Sequence, residues 1–326
     1  MQNFVPAWFL PGPHLQTIWG RIARPRRVQF WREVLNTPDG DDLVLDHLDG
    51  HSNLHFVLLH GLEGSSYSVC LQRILGTLSQ LGHHATAMNF RTCARDPEHT
   101  FRTLPNKRPR FYHLGDSADL DLTLRTLAAR HPERRFLAFG ASLGGNVLLK
   151  WLGENPDQQI AAAGATLSVP YDLAAGVAHL DATAAGRLYV NQFLLTLKRK
   201  CRRPDIAARI DVELMQHASN FREFDEAATA PLHGFANADD YYEQCGSIAY
   251  VDRIRTPTLA LSAEDDPFQP IDVLHRVRAN VSRAVDFRTT PVGGHVGFVG
   301  GNSPWEAKYW GEELIVRWLL EQAAVH

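Results

Sequence analysis

The pentapeptide Gly140-Ala141-Ser142-Leu143-Gly144 constrains this chain more than any other feature. The run before it, Phe136-Leu137-Ala138-Phe139, is short and apolar, as a buried strand is. After it, Leu143, Val147, Leu148 and Trp151 recur at helical spacing. A chain that passes from buried strand to helix across one serine matches the G-x-S-x-G nucleophile elbow. In that turn Ser142 takes a strained backbone position that projects its hydroxyl outward. A side chain at position 140 or 144 would collide with the adjacent strand or helix. The helix then directs its N-terminal N–H groups and positive dipole end at a developing oxyanion. The competing reading is that Ser142 only caps the helix.

The rest of the chain alternates in the same way. Val28 to Val34 and Asp42 to Leu48 alternate polar and apolar residues across the turn signal Pro38-Asp39-Gly40, which predicts an antiparallel hairpin. Strand patterns follow at 55–59, 84–90, 136–139, 162–169, 257–262 and 284–290. Helical patterns lie at 69–81, 116–129, 271–279 and 304–320, and the elbow helix runs to about Gly153. Strands alternating with helices imply a largely parallel sheet covered on both faces. From 171 to 250 the periodicity is helical, which predicts a helical cap inserted into a core made of 1–170 and 251–326. Residues 1–26 read as an irregular arm, helical near its end, that packs through Phe9, Leu10, Leu15, Ile18 and Trp19.

Ligands of open parallel sheets bind at the carboxyl ends of the strands. Ser142 follows the fifth candidate strand and His60-Gly61-Leu62 the third. Glu264-Asp265-Asp266-Pro267 follows the seventh, and Gly293-Gly294-His295-Val296-Gly297 the eighth. A serine hydroxyl is a poor nucleophile without a base, and neutral imidazole supplies one near working pH. A buried carboxylate then orients the imidazole. His295 is the candidate base. Asp266 is the candidate acid, with Asp265 as the alternative that spacing alone leaves open. The backbone N–H groups of Leu62 and Leu143 are the candidate oxyanion donors. His60 reads as a brace for the oxyanion turn.

Net charge of -3 and a pI near 6.6 argue against a nucleic-acid partner. The arginines at 21, 24, 26 and 27 read as a solvated face, as does Lys198 to Arg203, for which contact with an anionic lipid headgroup is the alternative. Cys70, Cys93, Cys201 and Cys245 show no zinc spacing, and His83-His84 has no partner at ligand spacing, so no metal is expected. No phosphate-binding or dinucleotide-binding loop is present, so no cofactor is expected. No signal-peptide pattern and no apolar run near 20 residues appears, which predicts a cytoplasmic protein with at most peripheral membrane contact.

Serine, acid, histidine is the chain order of α/β-hydrolases. The chain resembles that superfamily, and within it the YheT-type branch of bacterial hydrolases, whose plant and animal relatives include lipid-acting esterases. The carriers are Gly12 to Thr17, His60 to Ser65, Asn89-Phe90-Arg91, Tyr112-His113, Gly140 to Asn146, Asp265 to Phe268 and Gly294 to Phe298. One phrase departs: where relatives have a glycine-rich stretch after Asn-Phe-Arg, this chain has Thr92-Cys93-Ala94-Arg95-Asp96. The resemblance implies an α/β-hydrolase fold with an eight-stranded sheet. It also implies a Ser142, Asp266, His295 charge relay acting on carboxylic esters, lipid esters among them. Phe193 to Leu197 is open to two readings, an acyl-binding surface or cap core.

Overall fold

In the computed structural model, which describes residues 4–99 and 101–324, the strand patterns become one sheet. Its strands are β1 (Trp31–Asn36), β2 (Asp42–Leu48), β3 (Leu54–Leu59), β4 (His84–Asn89), β5 (Arg135–Ala141), β6 (Ala161–Leu167), β7 (Thr258–Ala263) and β8 (Val285–Thr290). Their spatial order is β1-β2-β4-β3-β5-β6-β7-β8. β1 and β2 pair antiparallel, β2 pairs antiparallel with β4, and all other pairings are parallel. From β3 the chain moves outward to β4, then returns to the other side of β3 as β5. That reversal opens a crevice at the carboxyl ends of β3 and β5, where ligands of such sheets bind.

The helices are α1 (Pro13–Ile22), α2 (Val69–Gln80), α3 (Ser117–Arg130), α4 (Leu143–Glu154), α5 (Leu173–Ala182), α6 (Ala184–Cys201), α7 (Pro204–Ala207), α8 (Val212–His217), α9 (Phe221–Phe224), α10 (Ala230–His233), α11 (Ala238–Cys245), α12 (Ile271–Asn280) and α13 (Trp310–Ala324). The two-residue period of a strand divides the core. Val57 and Leu59 of β3 face α3, α4 and α12 through Leu120, Leu124, Leu148 and Leu274. Phe56 and Leu58 face α2 and α13 through Leu71, Ile74, Leu314 and Ile315. β4 and β7 are buried along their whole length, as strands covered on both faces must be.

Between β6 and β7 the chain is helical, and side chains start those helices. Asp172, Thr183, Asp211, Asn220 and Asn237 each accept a backbone N–H three residues on. The segment has its own apolar cluster, including Leu180, Val190, Leu194, Met215 and Phe224. Between α9 and α10, Asp225–Thr229 widens into a π-turn. Pro231 lacks the N–H that would bond the Ala227 carbonyl, and that carbonyl accepts the N–H of Asp211 at 3.0 Å instead.

Three local expectations change. The first strand starts at Trp31, because the Val28 N–H bonds the Gln72 side chain at 2.8 Å. The last helix starts at Trp310: Pro304–Glu306 makes one 3₁₀ turn, then β10 (Lys308–Tyr309) pairs with β9 (Val299–Gly300). In the arm, Leu10 is buried, but Leu15 and Ile18 of α1 point to solvent. Met1 to Asn3, the start of that arm, lie outside the described residues. Among the described residues no helix is long and apolar enough to cross a membrane.

Candidate active site

Ser142 ends β5 and starts α4 with φ 53° and ψ −120°, a conformation that non-glycine residues seldom hold. Packing holds it there. The Ser142 N–H donates to the Leu167 carbonyl of β6 at 2.8 Å, and its own carbonyl accepts from Gly145 at 2.9 Å. The flanking glycines are sites of close approach. A Cβ on Gly140 would lie 2.3 Å from the Gly144 carbonyl oxygen, and one on Gly144 would lie 2.7 Å from the His60 carbonyl oxygen.

The loop after β8 brings His295 to this serine. His295 Nδ1 lies 2.9 Å from Asp266 Oδ2, and Nε2 lies 2.8 Å from Ser142 Oγ. A carboxylate accepts only, so Nδ1 carries the proton and Nε2 accepts the serine hydroxyl's. Asp266 is buried to 1% and His295 to 10% side-chain exposure. Phe268 stacks on the imidazole with ring centres 4.1 Å apart. Its N–H donates to Asp266 Oδ1 at 2.8 Å. The neighbouring carboxylate has a separate partner: Asp265 accepts the Gly294 N–H at 2.9 Å, and burial raises its pKa.

Several anchors of this loop were not legible in the sequence. The His295 N–H donates to Thr17 Oγ1 at 2.9 Å. Buried Gln16 bridges Val299 through both its amide groups, at 3.0 and 2.7 Å. Ser168, itself at φ 53°, accepts the Val296 N–H at 2.9 Å. Gln16 and Thr17 lie in a phrase marked as shared with relatives, but no local pattern ties them to a loop nearly 280 residues away.

The turn after β3 closes the other side. A Cβ on Gly61 would lie 3.2 Å from the Ser142 Cβ, so this backbone passes directly over the serine. His60 accepts the Phe90 N–H on Nε2 at 3.1 Å, so its proton sits on Nδ1 and is donated to the Gly61 carbonyl at 2.8 Å. Burial pushes the His60 pKa down to about 4. Glu63, at φ 55°, is held by Tyr112 and Lys200. Ser142, His295, Leu62 and Leu143 all line a cavity of about 910 Å³.

A family model described as the alpha/beta hydrolase fold matches residues 55–301. The chain belongs to this family. YheT of Escherichia coli, provisionally named an esterase, is 32% identical over 97% of this chain and 93% of its own length. Phospholipase ABHD3 of Mus musculus is 29% identical over 86% of this chain and 69% of its own. The monoacylglycerol lipase of Saccharomyces cerevisiae is also 29% identical over 86% of this chain, and 61% of its own. The structure of the Pyrococcus furiosus esterase Pf2001 matches with a TM-score of 0.58 at 17% identity, over 92% of this chain and 97% of that one, a likeness of fold.

In this α/β-hydrolase the residues between β6 and β7 supply much of the cavity wall. Leu180, Phe193, Thr196 and Leu197 line it. Leu180 and Leu197 also belong to the apolar cluster of the helices, as does Leu194, and Leu195 is 64% exposed. The basic run at 198–203 is not a uniform solvated face either, since Lys200 is buried against Glu63 and Lys198 donates to two carbonyls. Asp225 of the π-turn also lines the cavity. Burial raises its carboxyl pKa to about 6 despite the hydroxyls of Thr229 and Tyr242 that bond it. Among the described residues no group of three or more His, Cys, Asp or Glu could hold a metal ion.

Proposed function

We propose that this chain is a serine hydrolase that cleaves carboxylic esters through an acyl-enzyme on Ser142. The observation that carries the reading is the continuous line from Ser142 Oγ to His295 Nε2 and from His295 Nδ1 to Asp266, at 2.8 and 2.9 Å. As Oγ bonds the ester carbon, His295 Nε2 takes its proton. The imidazolium, stabilised by Asp266, returns that proton to the leaving alcohol as the C–O bond breaks. Water, deprotonated by the same nitrogen, then releases the acid and restores Ser142. The N–H groups of Leu62 and Leu143 hold the oxyanion in both tetrahedral intermediates, a role in which one donor is worth about 100- to 1000-fold in rate.

Residues 171–250 act as a cap over the core of 1–170 and 251–326. The acyl group lies against Leu180, Phe193 and Leu197, and this apolar lining supports a lipid ester. The relatives' names, esterase, phospholipase and monoacylglycerol lipase, point to the same bond type. The four cysteines are buried free thiols, which suits a reducing compartment such as the cytoplasm.

A fluorophosphonate probe tests the nucleophile: the wild-type chain labels, and Ser142→Ala does not. Labelling that persists in Ser142→Ala overturns the assignment. Rates on p-nitrophenyl esters of increasing chain length test the substrate class. Activity confined to acetate and butyrate would remove the lipid reading.

A further inference from the structure

We propose that α1 and the residues on either side of it form a docking face for an anionic bilayer, seated beside the opening of the cavity that holds Ser142. The inference rests on the ester-hydrolase reading only for what the docked enzyme does there; the docking itself stands on three observations.

The first is charge. The first 32 residues contain no Asp or Glu, although the whole chain carries a net charge of -3. They contain arginines at 21, 24, 26, 27 and 32. Arg32 is paired with Asp46 and Arg27 packs over the Tyr67 ring, while Arg21, Arg24 and Arg26 are exposed. The second is that α1 lies with an apolar stripe outward. Gln16 and Thr17 face the body and hold the His295 loop. Leu15, Ile18 and Ile22, at helical spacing on the opposite side, are 46%, 39% and 69% exposed. Trp8, 75% exposed, continues the stripe through Phe9 to Trp19, with ring centres 5.9 and 5.4 Å apart. The third is position. Ile18, Arg21, Arg24 and Arg27 also line the cavity, so the exposed stripe reaches its rim.

The two chemistries together select the partner. A nucleic acid would use the arginines and leave Leu15, Ile22 and Trp8 in water. An apolar protein groove would use those three and leave Arg21, Arg24 and Arg26 facing no counter-charge. An anionic membrane surface takes both: apolar side chains enter the acyl boundary while arginines meet the lipid phosphates. Docked this way, the rim faces the layer from which a lipid ester would enter.

Vesicle co-sedimentation of the full-length Ser142→Ala chain, which leaves the lipid intact, tests the proposal. Retention is expected on phosphatidylglycerol-containing vesicles, weak on pure phosphatidylcholine, and falling as salt rises. Leu15→Ser with Ile22→Ser should lower binding about tenfold or more, and Arg24→Gln or Arg26→Gln about fivefold each. In the Ser142 background, Leu15→Ser with Ile22→Ser should leave the rate on a water-soluble short ester and the melting temperature unchanged. No retention, equal retention on neutral and anionic vesicles, or retention indifferent to these substitutions overturns the proposal. So does a dimer that Leu15→Ser with Ile22→Ser dissociates, since a second copy would then be the occupant. Vesicle binding without fluorophosphonate labelling would keep the docking face and reject the hydrolase; labelling without vesicle binding would do the reverse.

Discussion

Lys200 of α6 forms a buried ion pair with Glu63 in the turn after β3, with side-chain exposures of 10% and 12%. Tyr112 completes the clamp: its hydroxyl accepts the Glu63 N–H at 2.6 Å and donates to the Glu63 carboxylate at 2.9 Å. Burial alone would lower the Lys200 pKa, but Cys93 and Glu63 outweigh it and the pKa is raised. One ammonium therefore ties the helices between β6 and β7 to the turn that passes over Ser142. If the turn after β3 supplies the proposed oxyanion donor, Lys200→Met should lower kcat on a short soluble ester about tenfold with little change in KM, since only part of one donor's worth is lost. It should also cost about 3 kcal/mol of stability by stranding the Glu63 charge. Adding Glu63→Gln should restore much of that stability. Steady-state kinetics and denaturant titration of the single and double variants check both.

The two adjacent carboxylates should separate cleanly. Asp266→Asn leaves His295 able to hold the wrong tautomer and should lower kcat on the order of 10⁴-fold. Asp265→Asn weakens one hydrogen bond, to the Gly294 N–H, and should cost about fivefold. Kinetics showing the larger loss at 265 would move the acid to that position.

His60 gives the stability a pH dependence of defined sign. Its pKa is about 4 folded, from 6.5 in the open chain. Between those values the unfolded chain binds the proton and the folded chain does not, so stability rises with pH across the window. Acidification from pH 6.5 to 4 should thus remove on the order of 3 kcal/mol through this residue. Unfolding free energies of wild type and His60→Gln from denaturant titrations at several pH values should diverge by that total across the window. Asp225 has the opposite sign, its raised pKa favouring the folded state as pH falls below about 6, so the difference between variants is the proper measure.

Gly140→Ala should be among the costlier single-methyl changes in the chain. The added carbon meets backbone at 2.3 Å, and neither β5 nor α4 can move without shifting Ser142. A loss of about 3 kcal/mol or more, with activity falling further than stability, is expected. A soluble, fully active alanine variant would show that the elbow has more room than its geometry implies.

Most of the architecture is legible in the sequence. The elbow, the strand patterns and the polar residues after the third, fifth, seventh and eighth strands are local signals, since a buried strand must be apolar and a sharp turn needs glycine. The failures were local too. At Val28 a bond to a side chain 44 positions away, and at Pro304 the pairing of two short neighbouring strands, displaced the pattern's own preference.

The chain's periodicity and punctuation determined which segments become strands and which residues arrive at the carboxyl edge of the sheet, because hydrophobic burial acts on spacing. Only tertiary structure decided what those residues touch. That Asp266 rather than Asp265 faces His295, that Thr17 holds the His295 loop, and that Lys200 reaches Glu63 depend on hydrogen bonds across 29, 278 and 137 positions. Such bonds leave no periodic trace, because their geometry is set by where whole elements pack and not by the residues beside them.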